Sequence, residues 1–156
     1  SRAADVLQRQ GTALRVGDRW YLYSVGASAS ANGQILVSTS TDLFLWTTPT
    51  VAIEDPVPVF GWGNLESPVL VPFDGAYYLF LTRTTTAQID YARTLVFRSS
   101  SLTRFAWEPL TELRGHASEV FLHEGRWYIT SAGWTSSVGE ENRGLSIAPL
   151  EWLRRE

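Results

Sequence analysis

GAYYLFLT, residues Gly75–Thr82, decides the fold of this chain because two variants of it occur elsewhere in the sequence. GDRWYLYS covers Gly17–Ser24, and GRWYITS covers Gly125–Ser131. In each copy a turn glycine stands before a run of aromatic and aliphatic residues, which is typical of a β-hairpin. Copies spaced roughly 50 residues apart indicate a propeller or another repeat array, in which one unit cannot bury its apolar face alone.

A second strand and a tryptophan complete each unit. The second strands combine aliphatic residues with Ser or Thr, and they cover Ile35–Ser40, Leu95–Ser100 and Leu145–Ala148. The closing residues are Trp46, Trp107 and Trp152. We expect these large apolar side chains to pack between neighbouring sheets as core residues.

The repeats predict an all-β chain, a single domain made of four-stranded antiparallel propeller blades. The blades cover residues 11–55, 65–114 and 116–152, and the third has no room for a fourth strand. The predicted strands are Thr12–Val16, Trp20–Val25, Ile35–Thr39, Thr48–Ile53, Ser67–Pro72, Tyr77–Thr82, Thr94–Ser99, Trp107–Leu113, Glu119–His123, Trp127–Ser131 and Gly144–Pro149. Residues Ser1 to about Gln10 form a short helix or a lead-in strand. A β-sandwich or a small irregular barrel is the alternative fold.

Three blades are fewer than the four to eight of a closed propeller. An open arc would expose an apolar sheet face at each end, which is a liability for a soluble monomer. The chain is therefore either part of a longer protein or a homo-oligomer that completes the propeller. In the second case, the N-terminal segment of one copy would supply the strand missing from the third blade of another.

Composition excludes several classes of function. The 156 residues include seven Trp, six Tyr and seven Phe, which suits a large aromatic core or an aromatic-lined sugar cleft. The net charge of −3 gives no reason to expect nucleic acid. The absence of cysteine excludes disulfides, thiolate catalysis and Cys-ligated zinc. No apolar run reaches the roughly 20 residues of a membrane span, and no signal-peptide pattern opens the chain. We expect a soluble protein with no membrane partner, either secreted or cytoplasmic.

Three further motifs carry a family resemblance. The second unit opens with ESP at Glu66–Pro68 ahead of its aromatic strand, and STDLFLW at Ser40–Trp46 follows the pattern Ser-x-Asp-Leu-x-x-Trp. The third unit opens with HASE at His116–Glu119. These stretches resemble the five-bladed β-propeller glycoside hydrolases of family 32 (fructosidases) and family 43 (arabinanases and xylosidases). The resemblance covers the chain from about Arg9 onward.

The resemblance implies a catalytic role for Glu66, and it also implies two further carboxylates that have no counterpart in this sequence. In those families the Glu of the Glu-x-Pro motif is the general acid that protonates the leaving-group oxygen, so Glu66 would take that role. The second family carboxylate lies on the first blade of the family's propeller, which has no counterpart among the predicted blades. A third lies in an Arg-Asp-Pro motif, and the matching stretch here is Arg9-Gln10-Gly11. Two of the three expected carboxylates are therefore missing, which leaves enzymatic activity uncertain. The alternative for Glu66 is an exposed turn carboxylate.

The remaining candidates come from the strand starts and the loops. Glu119 is a second candidate catalytic carboxylate, and His116 a residue that binds a sugar hydroxyl or, less readily, a cation. The alternatives are a rim carboxylate and a hydrogen-bonded loop histidine. Trp62 and Trp134 lie in loops and would stack on a sugar ring or pack on a neighbour. With Arg9 and Gln10 they complete the expected substrate-binding set. Asp42 is predicted to cap its turn.

Three functions follow from these predictions. The first is a glycoside hydrolase relative that acts on fructose- or arabinose-type glycans with Glu66 as its acid. The second is a catalytically inactive protein that binds carbohydrate. The third is a propeller fragment, natural or engineered, that assembles with copies of itself. No metal and no cofactor are predicted, and a fold by itself does not fix an activity.

Overall fold

The computed structural model describes residues 9–58, 64–84, 92–135, 141–142 and 144–153. At positions 9, 10, 134, 135, 141 and 142 only the backbone is described. The strands, in chain order, are β1 (Arg9–Val16), β2 (Arg19–Ala27), β3 (Gly33–Ser40), β4 (Thr50–Glu54), β5 (Leu65–Phe73), β6 (Ala76–Arg83), β7 (Arg93–Ser99), β8 (Thr111–Arg114), β9 (Val120–His123), β10 (Arg126–Ser131), β11 (Trp134–Thr135), β12 (Glu141–Asn142) and β13 (Ser146–Pro149). No helix capable of spanning a membrane occurs in these ranges.

The strands form separate antiparallel sheets. The first sheet has the order β1-β2-β3-β4 and the second the order β5-β6-β7-β8, while β13-β10-β9 form a three-stranded third sheet. Each sheet is thus a meander of hairpins, as the repeated turn glycines predict. The predicted all-β fold is confirmed, and the predicted strands lie within a few residues of the observed ones. Only the two residues at the end of the N-terminal segment are described, and they belong to β1.

The first and second sheets pack face to face. The core between them contains Tyr23, Ile35 and Val37 of the first sheet and Leu79 and Phe97 of the second, all nearly or fully buried. Trp107 packs on this core, with its ring 5.1 Å from that of Phe97. Alternation along each strand places these residues on one face. The sheets are therefore stacked layers, and they are not joined edge to edge.

The second and third sheets share a smaller core. It contains Val71, Phe80 and Val96 of the second sheet, with Trp127 and Trp152 packed against them. The indole of Trp152 stacks on Phe73 with ring centroids 4.3 Å apart and planes inclined by 12°. Aromatic pairs in such geometry contribute about 0.5–1.5 kcal/mol beyond their buried area.

The expected core position is correct for Trp107 and Trp152 and wrong for Trp46. Trp46 lies outside both cores and is half-buried against its own turn, where its indole N–H donates to the carbonyl of Leu43 over 3.0 Å. Neighbouring Phe44 and Leu45 are 89% and 78% exposed. The physical reason is that the described chain places no sheet on that side of the first sheet.

Candidate functional site

Three candidate residues lie at equivalent positions in successive sheets. Each is opposite the residue that is seventh from the start of the second strand of its sheet. Glu66 pairs with Thr82, which is the seventh residue of β6. Arg9 pairs with Val25, the seventh residue of β2. In the third sheet, the carbonyl of His116 accepts a hydrogen bond of 2.8 Å from the N–H of Ala132, seventh from the start of β10.

The first strand of each sheet begins with an irregular backbone at this position. The ladder shifts register between Arg9 and Gly11 and again between Glu66 and Val69. Ser67, directly after Glu66, has φ of 51°, and Ala117, directly after His116, has φ of 46°. A non-glycine residue in this left-handed region costs about 1–2 kcal/mol. Its recurrence shows that the chain turns sharply at the same point of both blades, which re-aims the preceding side chain.

Buried hydroxyl groups join the starts of the second and third sheets. Thr82 Oγ1 accepts a hydrogen bond of 3.0 Å from the N–H of Ala117. Thr94 Oγ1 donates to the carbonyl of Gly115 over 2.9 Å and lies 3.2 Å from Ser118 Oγ. Both threonines are fully or almost fully buried. These bonds hold the segment that carries His116 against the strand opposite Glu66.

The imidazole of His116 is held in one orientation. Its backbone N–H donates to Ser131 Oγ over 2.9 Å, and its Nδ1 lies 3.1 Å from the carbonyl oxygen of Gly133. A carbonyl oxygen only accepts hydrogen bonds, so Nδ1 carries the proton. His116 is thus also the hydrogen-bonded loop histidine considered from the sequence.

A buried ion pair joins the first and second sheets at the same end. The carboxylate of Asp55 is fully buried and bidentate with Arg83, at 2.6 Å to Nε and 3.0 Å to Nη2. Asn64 Nδ2 donates to the same carboxylate over 2.6 Å, and the N–H of Val57 donates over 2.9 Å. Each oxygen of Asp55 thus accepts two bonds. A carboxylate with its lone pairs occupied in this way holds structure and cannot attack a substrate.

Glu119 does not share the position of Glu66. It lies three residues beyond His116, its side chain is exposed, and its carbonyl accepts the N–H of Thr130 over 2.8 Å. The sheet register therefore makes His116 the counterpart of Glu66. Glu119 instead corresponds to Val69, because Glu119 lies three residues after His116 and Val69 lies three residues after Glu66.

The structure places the other candidates only in part. The backbones of Arg9 and Gln10 lie in β1, and that of Trp134 follows Gly133 in the short hairpin of β11 and β12. Trp62 lies outside the described residues. The predicted cap at Asp42 is confirmed, since its Oδ1 accepts the N–H groups of Phe44 and Leu45, both over 2.8 Å.

Open surface cavities lie at the opposite end of the sheets. One of about 320 Å³ is lined by Arg19, Thr39 and Trp46, next to the first hairpin turn. Another of about 270 Å³ surrounds the second hairpin turn at Pro72–Tyr77. Across the described residues, no cluster of three His, Asp or Glu side chains could hold a metal ion.

Solved structures identify the architecture. A family 43 glycoside hydrolase from Xanthomonas citri, crystallised with xylotriose, matches with a TM-score of 0.67 and 11% identity over 96% of this chain and 52% of that one. The sheets are blades of a β-propeller. An α-L-arabinofuranosidase from Clostridium thermocellum matches with a TM-score of 0.61 and 12% identity over 95% of this chain and 55% of that one. A family 32 β-fructofuranosidase from Bombyx mori matches with a TM-score of 0.61 and 19% identity, over 83% of this chain and 31% of that one.

The propeller matches confirm the expected resemblance to families 32 and 43 at the level of fold. The chain spans about one third to about half the length of these three neighbours. No protein-family model matches the sequence, and no curated protein is significantly similar to it. With identities this low, the comparison establishes the blade architecture alone.

Proposed function

We propose that this chain carries the acid side of a glycoside hydrolase-like propeller, with Glu66 as the general acid. The observation that carries the proposal is the shared position of Arg9, Glu66 and His116 in the sheet register, which brings the backbones of these three residues to the same end of adjacent blades. Glu66 is half-buried at the start of its strand. A general acid needs a carboxyl group that is protonated at the working pH.

The proposed ligand is a fructose- or arabinose-type glycan. The neighbours with the same blades include an α-L-arabinofuranosidase, a β-fructofuranosidase and an enzyme crystallised with xylotriose. The imidazole of His116, which contacts the carbonyl of Gly133 through Nδ1, is the proposed polar contact to the sugar. Arg9, Gln10, Trp62 and Trp134 complete the proposed binding set, in which indole faces would stack on the sugar ring.

Hydrolysis also requires a second carboxylate about 5–9.5 Å from the acid. Asp55 is unsuitable because Arg83, Asn64 and Val57 occupy its oxygens. The position that matches a family carboxylate holds Gln10, and Glu119 stays a weaker proposal because it is displaced from Glu66 along the strand. These observations favour a second candidate function, a carbohydrate-binding propeller without catalysis. A self-assembling propeller fragment is the third candidate function.

Leaving-group dependence tests the acid role. A dinitrophenyl leaving group departs without protonation, whereas a phenyl leaving group requires it. If Glu66 is the acid, Glu66→Gln lowers kcat/KM about 10²–10⁴-fold for phenyl α-L-arabinofuranoside or phenyl β-D-fructofuranoside and leaves the dinitrophenyl glycosides nearly unaffected. Glu108→Gln, an exposed carboxylate elsewhere on the second blade, is the control. Equal losses on both substrates, or no loss, would remove Glu66 from the acid role.

Calorimetric titration with arabino- and fructo-oligosaccharides separates the two candidate functions. Binding without hydrolysis by the wild-type chain supports the binding module. Weaker binding by His116→Ala, with unchanged binding by Glu108→Gln, would assign the hydroxyl contact to the imidazole. A wild-type chain that neither binds nor hydrolyses these sugars contradicts both proposals.

A further inference from the structure

The two junctions between blades are built from the same pair of elements. The first element is the segment after the third strand of a blade, which we call the closing segment. It covers residues 100–107 in the second blade and 150–152 in the third. The second element is the face of the preceding blade against which the closing segment packs. In both junctions a tryptophan of the closing segment enters the shared core, as Trp107 and Trp152 do.

Specific contacts define the junction of the first and second blades. The hydroxyl of Tyr23 donates to the carbonyl of Leu102 over 2.5 Å, and the N–H of Phe105 donates to the carbonyl of Ala52 over 2.8 Å. Trp107 packs on the same core. The closing segment of one blade is therefore bonded directly to the face of the blade before it.

The junction of the second and third blades repeats this arrangement. Trp152 contacts Tyr78 and Phe80, with ring centroids 4.7 and 6.3 Å apart, and stacks on Phe73. Tyr78 and Phe80 are the third and fifth residues of β6. Tyr21 and Tyr23 hold the same places in β2 and belong to the first junction. The receiving positions are thus the same in both blades.

One closing segment and one receiving face have no such partner among the described residues. The closing segment of the first blade, residues 41–46, is exposed at Leu43, Phe44 and Leu45, by 48%, 89% and 78%. At the other end of the arc, the register assigns Phe121 and Ile147 of the third blade to the positions of Val71 and Val96, which are buried in the second.

The receiving face of the third blade, which we define by Phe121, Tyr128 and Ile147, is apolar and accessible. Phe121 is 39% and Ile147 60% exposed, and the rings of Phe121 and Tyr128 stack 5.6 Å apart. Tyr128 is the third residue of β10, which is the place that Tyr78 holds under Trp152. The two ends of the arc therefore present the two halves of a contact that the chain already makes twice.

We infer that a second copy of this chain docks head to tail, with the closing segment 41–46 of one copy on the receiving face of the other. Because each copy carries both halves, two copies make two equivalent junctions about a two-fold axis. This interface does not depend on any glycosidase activity.

Sedimentation of the 156-residue chain tests the docking. We expect a species of twice the 17.4 kDa chain mass at micromolar concentrations. A closing-segment variant, Phe44→Ser with Leu45→Ser, and a receiving-face variant, Ile147→Ser, should each give monomers. These three residues are at least 60% exposed, so the fold should be retained, and circular dichroism checks this. Val57→Ser, at a 52% exposed valine outside both surfaces, is the control and should still dimerise.

Mixing the two variants decides whether the contact is head to tail. The receiving-face variant keeps an intact closing segment, and the closing-segment variant keeps an intact receiving face, so a mixture can form one of the two junctions. We expect the mixture to recover a dimer weaker than wild type by at least 10-fold in Kd. A wild-type chain that stays monomeric up to 100 μM would overturn the inference. So would a dimer that only one of the variants dissociates, because it would join like surfaces.

Discussion

The side chain of Thr82 joins the second blade to the third, because its Oγ1 accepts a hydrogen bond of 3.0 Å from the backbone N–H of Ala117. Thr82 is the ladder partner of Glu66, and Ala117 follows His116 directly. One buried hydroxyl therefore fixes the relative position of the two candidate site residues. Thr82 is 0% exposed, so the acceptor of this bond is shielded from water.

Replacing Thr82 with Val tests this connection. Valine has the same shape but cannot accept a hydrogen bond, so the N–H of Ala117 would lose its acceptor in a buried place. We expect a loss of about 1–3 kcal/mol in the free energy of unfolding, measured by urea denaturation. Thr48→Val, at an exposed position, should change it by less than about 0.5 kcal/mol. Equal effects of the two variants would contradict the role given to Thr82.

The ion pair of Asp55 and Arg83 supports a second prediction. Asp55→Asn leaves the Arg83 guanidinium without its charged partner beside the fully buried position 55. Removing one partner of a buried pair costs about 3–5 kcal/mol. The exposed pair of Arg93 and Glu112, at 3.2 Å, is the matched control. Glu112→Gln should cost less than about 1 kcal/mol, and thermal unfolding of the two variants measures the difference.

Local signals explain how much of the fold is predictable from the sequence. The turns at Gly17-Asp18, Asp74-Gly75 and Glu124-Gly125 each contain a glycine, which is suited to positive φ, and all three glycines adopt it, as do Asp74 and Glu124. A hairpin needs only such a turn and two flanking apolar strands. For that reason the hairpins of all three sheets could be predicted. The packing of Trp107 and Trp152 could also be predicted, because each of these residues ends a repeated unit.

Long-range geometry explains what the sequence did not reveal. Asp55 and Arg83 are 28 residues apart, and nothing local to either predicts their pairing. The displacement of Glu119 depends on ladder register, which a sharp turn at Ala117 sets. Trp46 resembles the other closing tryptophans in sequence, but its burial depends on a preceding blade. The short hairpin of β11 and β12 follows from pairing within a loop of polar residues, where periodicity gives no signal.

The carboxylate of Asp42 supports a third prediction. The backbone N–H groups of Leu45 and Phe44, followed by the hydroxyl of Ser40, hold the pKa of Asp42 below its ordinary value of 3.8. A depressed pKa in the folded state means that the contribution of this group is present above pH 3.8 and is lost as the pH falls below it. Carboxyl resonances followed by NMR during acid titration should give a value below 3.8 for Asp42. Ser40→Ala should bring that value closer to 3.8, and an unchanged value would contradict a contribution from the hydroxyl.

Tyr23 links the stability of the first junction to alkaline pH. Its phenol is fully buried and donates to the carbonyl of Leu102. Burial, with smaller contributions from the neighbouring phenols of Tyr21 and Tyr77, raises the pKa of Tyr23 well above its ordinary value of 10.0. Above pH 10 the unfolded chain therefore releases a proton that the folded chain retains. It follows that stability falls as the pH rises.

Tyr23→Phe should remove part of that pH dependence. At pH 7 the variant loses one hydrogen bond between blades and is expected to be less stable by about 1 kcal/mol. Between pH 10 and 12 the wild-type chain should lose up to about 1.4 kcal/mol per pH unit more than the variant, because only the wild type carries the buried phenol. Urea denaturation across this pH range measures both slopes. A parallel decline of wild type and Tyr23→Phe would show that Tyr23 does not govern the alkaline loss.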